Sequence, residues 1–143
     1  MSTGLWQARG DLPVATGGFS VHEVTEKVAG WLQDEGAREG LLTVFLQHTS
    51  ASLLIMENAD PDVMADLMDA LARIAPEDDA LYRHITEGAD DMPAHIRTAL
   101  TQTHLSIPVT QGRLDLGTWQ GIWLLEHRAR AQSRRLTLHY VGE

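Results

Sequence analysis

The chain has 143 residues, 43% of them hydrophobic and 22% charged, a composition typical of one globular domain rather than a disordered or fibrous protein. Its formal charge of −9 disfavours electrostatic binding to phosphate backbones, so we expect no nucleic-acid partner. Cysteine is absent, which excludes disulfides and thiolate metal sites and leaves His, Asp and Glu as candidate metal ligands.

The N-terminal region lacks the basic and apolar segments of a signal peptide, and no apolar run approaches the ~18 residues that span a bilayer. We therefore predict a cytoplasmic protein with no membrane partner, forming a single domain over residues 1–143.

The segment Gly4 to Val14 predicts one or two edge strands. Ser20 and Glu23 form a capping-box pattern, and the helical spacing of apolar residues after them predicts a first helix over Val21–Glu35.

Two short apolar runs, Leu41–Gln47 and Ser52–Met56, predict buried strands. Asp60 and Pro61 then mark a helix start, because Asp is a good N-cap and Pro is tolerated at the first helical position. The stripe of apolar residues that follows predicts a second helix ending near Pro76.

The second half of the chain changes from helical to alternating spacing. Glu77–Met92 is polar and predicts a loop, and Pro93–Leu100 predicts a short third helix. Four further strands are predicted, over His104–Val109, Gly112–Trp119, Gly121–His127 and Arg134–Val141. This order favours an α+β fold with an antiparallel sheet and helices on one side.

Three histidines are candidate metal ligands. His48 follows a buried strand in a hydroxyl-rich turn, although a histidine there can also simply cap the strand end. His84 and His95 are too far apart for one helical turn, and Gly88 with the pair Asp90-Asp91 supplies residues that would fold the segment back. Three imidazoles that leave one coordination position open are typical of a catalytic metal site. The alternative is that Asp90 or Asp91 caps the third helix and that the histidines are ordinary surface residues.

Several other polar residues lie beside or inside apolar runs. Glu57 is a candidate general base or partner of a metal-bound imidazole, and Asn58 follows it directly. Glu126 is costly to bury unless it is paired or bound, so it indicates either a substrate contact or an ion pair within the sheet; Arg128 follows at the alternate position.

Four segments in this order resemble the YjbQ-like family, often labelled secondary thiamine-phosphate synthase. They are His48–Leu53, Glu57–Pro61, His84–His95 and Leu116–Gly121, within a match from about residue 4 to the C-terminus. The resemblance implies a two-layer, mostly antiparallel β-sandwich with two to three helices, assembled as a homotrimer, with the matched residues in one pocket near a subunit boundary. Asp91 departs from the family, which commonly has Asn there, and adds negative charge beside His84 and His95. Residues 129–132 replace a more polar loop.

The resemblance leads to a functional hypothesis of a small metal-binding enzyme with thiamine-phosphate synthase activity and a phosphorylated small-molecule substrate. A divalent ion, zinc or magnesium, would be held by His48, His84 and His95, with Glu57 or Asp90 as acid/base. The predicted substrate contacts are Asn58, Thr118, Gln120, Glu126 and Arg128. No Walker-type phosphate loop is present, so phosphate would be bound by metal, Arg and backbone N–H groups. A non-catalytic module for a metal or an anionic metabolite, or a metal-dependent hydrolase, remain alternatives.

Overall fold

The computed structural model describes residues 4–143, which form eight β-strands, three α-helices and a short 3-10 helix at Asp79–Leu81. The strands are β1 Trp6–Gly17, β2 Ser20–Glu23, β3 Gly40–Leu46, β4 Ala51–Glu57, β5 His104–Thr110, β6 Arg113–Leu114, β7 Gln120–Glu126 and β8 Ala131–Gly142. The helices are α1 Thr25–Asp34, α2 Pro61–Ile74 and α3 Asp91–Leu100. The predicted α+β class is confirmed.

The strands form two antiparallel sheets. The five-stranded sheet has the order β1-β8-β3-β5-β6, and the three-stranded sheet has the order β2-β7-β4. Apolar residues of both sheets and of α1 form the main core, with Leu42, Leu124 and Leu138 fully buried. A second cluster around Met64, Leu71 and Leu125 packs α2 on the opposite face of the three-stranded sheet. That sheet is therefore covered on both faces, which explains the apolar sequences of β4 and β7.

Most predicted elements are present with small changes in their bounds. The side chain of Asp60 accepts a hydrogen bond from the N–H of Asp62 at 2.9 Å, as expected of the N-cap of α2. Gln111 and Gly112 adopt φ of 52° and 75° at the tight turn between β5 and β6.

Two predictions of secondary structure were wrong. Ser20–Glu23 is a strand paired with Glu126–Trp123 of β7, and α1 begins after Val24 without a side-chain cap. The strand predicted over Gly112–Trp119 is reduced to Arg113–Leu114, and irregular turns follow it. Within residues 4–143, no helix is long and apolar enough to cross a membrane.

Candidate functional site

The start of α3 brings together two histidines and an aspartate. Oδ2 of Asp91 lies 2.6 Å from Nε2 of His84 and 3.1 Å from Nε2 of His95. Within residues 4–143, one group of three or more His and acidic side chains has its donor atoms within 4.8 Å of one another, and it comprises these three residues. We call this group the His84–Asp91–His95 cluster.

The loop before α3 determines how His84 meets the helix. Gly88 adopts φ of 105°, a left-handed conformation that residues with a side chain rarely adopt, and this turn directs the chain back towards α3. The fold-back expected from Gly88 and the aspartate pair is therefore observed. Asp91, rather than a third imidazole, is the residue that joins the two histidines.

Arg128 fixes both aspartates from the end of β7. Its Nε donates to Asp90 at 2.8 Å, and its Nη1 donates to Asp91 at 2.5 Å. Burial alone would raise the pKa of Asp90, but hydrogen bonds from the N–H of Ala129 and from Arg128 bring it below the usual value. For Asp91, burial likewise opposes ionisation, but the hydrogen bond with His84 and the nearby charges lower the pKa. Both carboxylates are thus held ionised.

The hydrogen bonds of His95 determine which of its nitrogens can bind a ligand. Its Nδ1 lies 2.8 Å from the carbonyl oxygen of Thr49, and because that oxygen can only accept, Nδ1 must carry the proton. In a neutral ring Nε2 then has a lone pair, which faces the carboxylate of Asp91. Two acceptors at this distance repel each other unless a proton or a metal ion lies between them.

His48 lies near the cluster but is not part of it. The backbone N–H of Arg135 donates to its Nε2 at 3.2 Å, and Nη1 of Arg134 lies 3.3 Å from its Nδ1. Burial lowers the pKa of His48, and the charge of Arg134 lowers it further, so the ring is neutral near pH 7. The structure therefore brings together two of the three histidines predicted to share a metal.

His48 and His95 line a cavity of about 360 Å³ with Ala99 and four threonines, Thr49, Thr98, Thr101 and Thr103.

Glu126 is separate from this cavity and fully buried. Nη2 of Arg134 donates to Glu126 at 2.6 Å, and the Thr16 hydroxyl donates to it at 2.6 Å. Burial would raise the pKa of Glu126, but these hydrogen bonds lower it. Glu126 therefore forms an ion pair, as the alternative expected, but its partner Arg134 lies on β8 of the other sheet rather than within the same sheet.

The remaining candidate residues lie at the far end of β4. This strand has seven residues, so Glu57 is about 20 Å from the end next to His48. Glu57 accepts a hydrogen bond from the N–H of Asp60 at 3.0 Å, and Asn58 donates to Glu23 at 3.0 Å. Gln120 pairs with Glu57 in the sheet, and Thr118 is exposed in the preceding turn. Within one chain, these four residues do not meet the histidine cluster.

A buried pair beside the site, Ser52 and His127, was not predicted from the sequence. The hydroxyl of Ser52 lies 2.8 Å from Nε2 of His127, and both residues are fully buried. Nδ1 of His127 has no hydrogen-bond partner in the described part of the chain. Burial lowers the pKa of His127 to about 4, so its ring is neutral. This pair has the composition of a nucleophile and its base, but its burial excludes contact with a substrate.

Comparison with known proteins places the chain in a family. The sequence profile described as UPF0047 protein YjbQ-like matches residues 11–143. A UPF0047 protein of Synechocystis is 54% identical over 132 residues, 92% of this chain and 90% of that protein. The UPF0047 protein YjbQ of Salmonella typhimurium is 48% identical, covering 85% of both chains. The crystal structure of a hypothetical protein from Aeropyrum pernix, 32% identical, has a TM-score of 0.85 and covers 95% of this chain and 99% of that one. The chain therefore belongs to the UPF0047 YjbQ-like family.

Proposed function

We propose that the protein binds a divalent metal ion at the His84–Asp91–His95 cluster and uses it to hold a phosphorylated small molecule. The observation that carries this proposal is the pairing of two acceptors. Nδ1 of His95 donates to the Thr49 carbonyl, which leaves the Nε2 lone pair 3.1 Å from the ionised carboxylate of Asp91. A cation between these atoms would turn a repulsive contact into two ligand bonds. A backbone carbonyl that orients a metal-binding imidazole is a common feature of such sites.

The donor set favours a particular class of ion. Two imidazoles and one carboxylate suit zinc or another transition metal, whereas magnesium prefers oxygen ligands and retains several waters. Three protein ligands leave positions open for a substrate. Of the two ions expected from the sequence, we therefore propose zinc.

The neighbouring cavity is the proposed substrate site. The hydroxyls of Thr49 and Thr103 can donate to phosphate oxygens, whereas those of Thr98 and Thr101 donate to backbone carbonyls; the cavity also adjoins His95. The guanidinium groups of Arg128 and Arg134 are already paired with carboxylates, so phosphate binding would rest on the hydroxyls and the ion. A bound divalent ion would neutralise the charge that develops on a departing pyrophosphate. Thiamine-phosphate synthase activity, the reaction suggested by the family resemblance, is the first reaction to test.

A non-catalytic binding module is the second candidate. Asp90, proposed from the sequence as an acid/base, accepts hydrogen bonds from Arg128 and Ala129, and its pKa is lowered. Such a carboxylate is a poor proton acceptor at neutral pH. His48, which lines the cavity, accepts the backbone N–H of Arg135 at its Nε2, so its lone pair is engaged as well. If no base acts here, the same site would hold its ligand without turnover.

Metal analysis of protein purified without chelator tests the proposal. We expect about one ion per chain in the wild type and in His48→Ala, and less than about one tenth of that in Asp91→Asn and His95→Ala. Asn preserves the shape of Asp91 but not its charge, and His48→Ala is the matched control outside the cluster. Equal metal content in all four proteins would disprove the assignment of these ligands.

Activity assays distinguish the classes of function. The wild-type protein is supplied with zinc and with a pyrimidine diphosphate and a thiazole phosphate, or with a panel of phosphate esters. Coupling with release of pyrophosphate supports the synthase, and release of phosphate from an ester supports the hydrolase. Saturable binding of the phosphorylated compounds without turnover supports the binding module.

A further inference from the structure

A second cavity lies on the other side of α3 and contains a buried arginine. Asp91 and His95 belong to the metal cluster, whereas Arg97 follows two residues later, about 200° around the helix. Arg97 lines a cavity of about 620 Å³ between α2 and the turn before β2. A cavity of this size is typical of small-molecule sites.

The cavity walls are mainly apolar. Phe19, Val21, Met64 and Met68 supply most of the large carbon surfaces. Arg97 is the one cation among the lining residues, and its side chain lies over the ring of Phe19, with Cζ 5.7 Å from the ring centroid. The cavity therefore combines an apolar wall with a single positive group.

The charge of Arg97 has no close counter-ion. The residue is 7% exposed, and no carboxylate of residues 4–143 lies within 4 Å of its guanidinium. Its Nη2 donates to the carbonyl oxygen of Ala75 at 2.8 Å, and its Nε is buried without a partner among these residues. Buried arginines are ordinarily paired, because an isolated charge loses its hydration without compensation.

Two acidic residues, Asp69 and Glu77, also line the cavity, but both are exposed to solvent. The charge of Glu77 acts on Arg97 from beyond ion-pair distance. In water these charges are screened, so they weaken the attraction of an anion to Arg97 without neutralising the guanidinium. Their position near solvent disfavours a ligand with several negative charges and favours one with a single anionic group.

We propose that this cavity binds an amphiphilic monocarboxylate, with its carboxylate at Arg97 and its hydrocarbon part against Phe19, Met64 and Met68. The flexible side chains of the methionines suit an alkyl chain of variable shape. The site is separate from the metal cluster and does not depend on the proposed metal function.

Calorimetric titration of the full chain with decanoate, decanol and decyltrimethylammonium tests the proposal. We expect saturable binding of one decanoate per chain, at least about tenfold tighter than decanol, since a hydrogen bond to a charged group contributes more than one between neutral groups. The cationic probe should bind more weakly still. Equal affinity for all three would disprove the role of Arg97, and no binding of decanoate would disprove the site.

Variants that fill the cavity test the location of the decanoate site without removing a buried side chain. Ala65→Phe and Ala72→Phe place a ring in the cavity from exposed positions of α2 and should abolish decanoate binding. Ala80→Phe, an exposed alanine outside the cavity, is the matched control and should bind as the wild type. Glu77→Gln should strengthen decanoate binding by removing a like charge. Metal content should be unchanged in all four variants, and decanoate binding unaffected by both cavity-filling changes would place the ligand elsewhere.

Discussion

At the scale of single residues, the fold stabilises two adjacent buried ionisable groups, Glu126 and His127, in different ways. Glu126 and Arg134 retain their charges because they pair with each other at 2.6 Å. His127 has no such partner, and burial keeps it neutral, with a pKa of about 4. Because the pKa of each group is lowered in the folded state, both make the stability of the protein depend on pH, and His127 does so under milder acid than Glu126.

We predict that His127 makes the protein sensitive to mild acid. Below pH 6.5 the unfolded chain protonates this histidine, whereas the folded chain does so only near pH 4. The unfolded state then binds more protons, so the free energy of unfolding should fall as pH decreases from about 6.5 to about 4. A pKa difference of this size corresponds to about 3 kcal/mol. Chemical denaturation at several pH values measures the loss.

His127→Gln removes the titrating group but keeps a polar partner for Ser52. Its unfolding free energy should therefore decline less between pH 6.5 and pH 4 than that of the wild type. His22→Gln alters a half-buried histidine of β2, away from the outer face of the five-stranded sheet, and should keep the wild-type pH dependence. The same slope in the wild type and His127→Gln would show that acid acts through other groups.

The candidate site was predictable where its signals are local. Turn residues between His84 and His95 indicated a fold-back, and the family resemblance implied that the charge of Asp91 lies beside both histidines. The partners of His48 come from β8, more than eighty residues further along the chain, and no local pattern indicates such contacts. For Glu126 the sequence indicated an ion pair but not that Arg134 forms it. Arg97 gave no signal either, because its burial depends on how α3 packs.

At the scale of elements, the local sequence pattern of a segment competes with its pairing to strands that are distant in sequence. The capping-box pattern at Ser20 and Glu23 predicted a helix start, but pairing with β7 holds these residues in a strand. Strands β3 and β4 were predicted nearly to the residue from their apolar runs, although β4 is covered on both faces and β3 exposes Leu41 and Phe45 on one. Pairing partners in a sheet are distant in sequence, which is why β2 and the short β6 could not be predicted.

Two glycines in different elements should respond in opposite ways to alanine. A Cβ at Gly40 would lie 2.3 Å from the carbonyl oxygen of Val141 and 2.7 Å from Cα of Gly142, so β3 and β8 would have to separate. We expect Gly40→Ala to lower the free energy of unfolding by about 2 kcal/mol or more. Gly30 lies inside α1 with open space around it. Gly30→Ala should therefore raise the free energy of unfolding by about 0.5–1 kcal/mol.

Urea denaturation of the two variants and the wild type measures both changes. The direct comparison matters because both substitutions add the same methyl group and reduce the entropy of the unfolded chain equally. Any difference between them therefore comes from the folded state. A Gly40→Ala protein as stable as the wild type would show that the close contact between β3 and β8 relaxes without loss.

At the scale of the whole molecule, the two faces of the five-stranded sheet differ. The inner face forms the main core, while the outer face exposes Leu41, Phe45 and Val141, of which Leu41 and Val141 are neighbours across β3 and β8. The sheet also has a 12-residue edge strand, β1, which is unpaired on its outer side in the described residues. Exposed apolar groups and long edges are features that assembly commonly covers.

We propose that the protein is a homotrimer, as the family resemblance implies, and that this outer face contributes to the interface. Sedimentation at micromolar concentration should give a single species with three times the mass of the chain. Phe45→Glu places a charge on the outer face and should lower the mass towards that of one chain, because a buried unpaired charge in an interface costs several kcal/mol. Ile74→Glu, on an exposed apolar residue at the end of α2, is the matched control and should remain trimeric. A stable monomer in the wild type would disprove the trimer, whereas trimeric Phe45→Glu would place the interface on another surface.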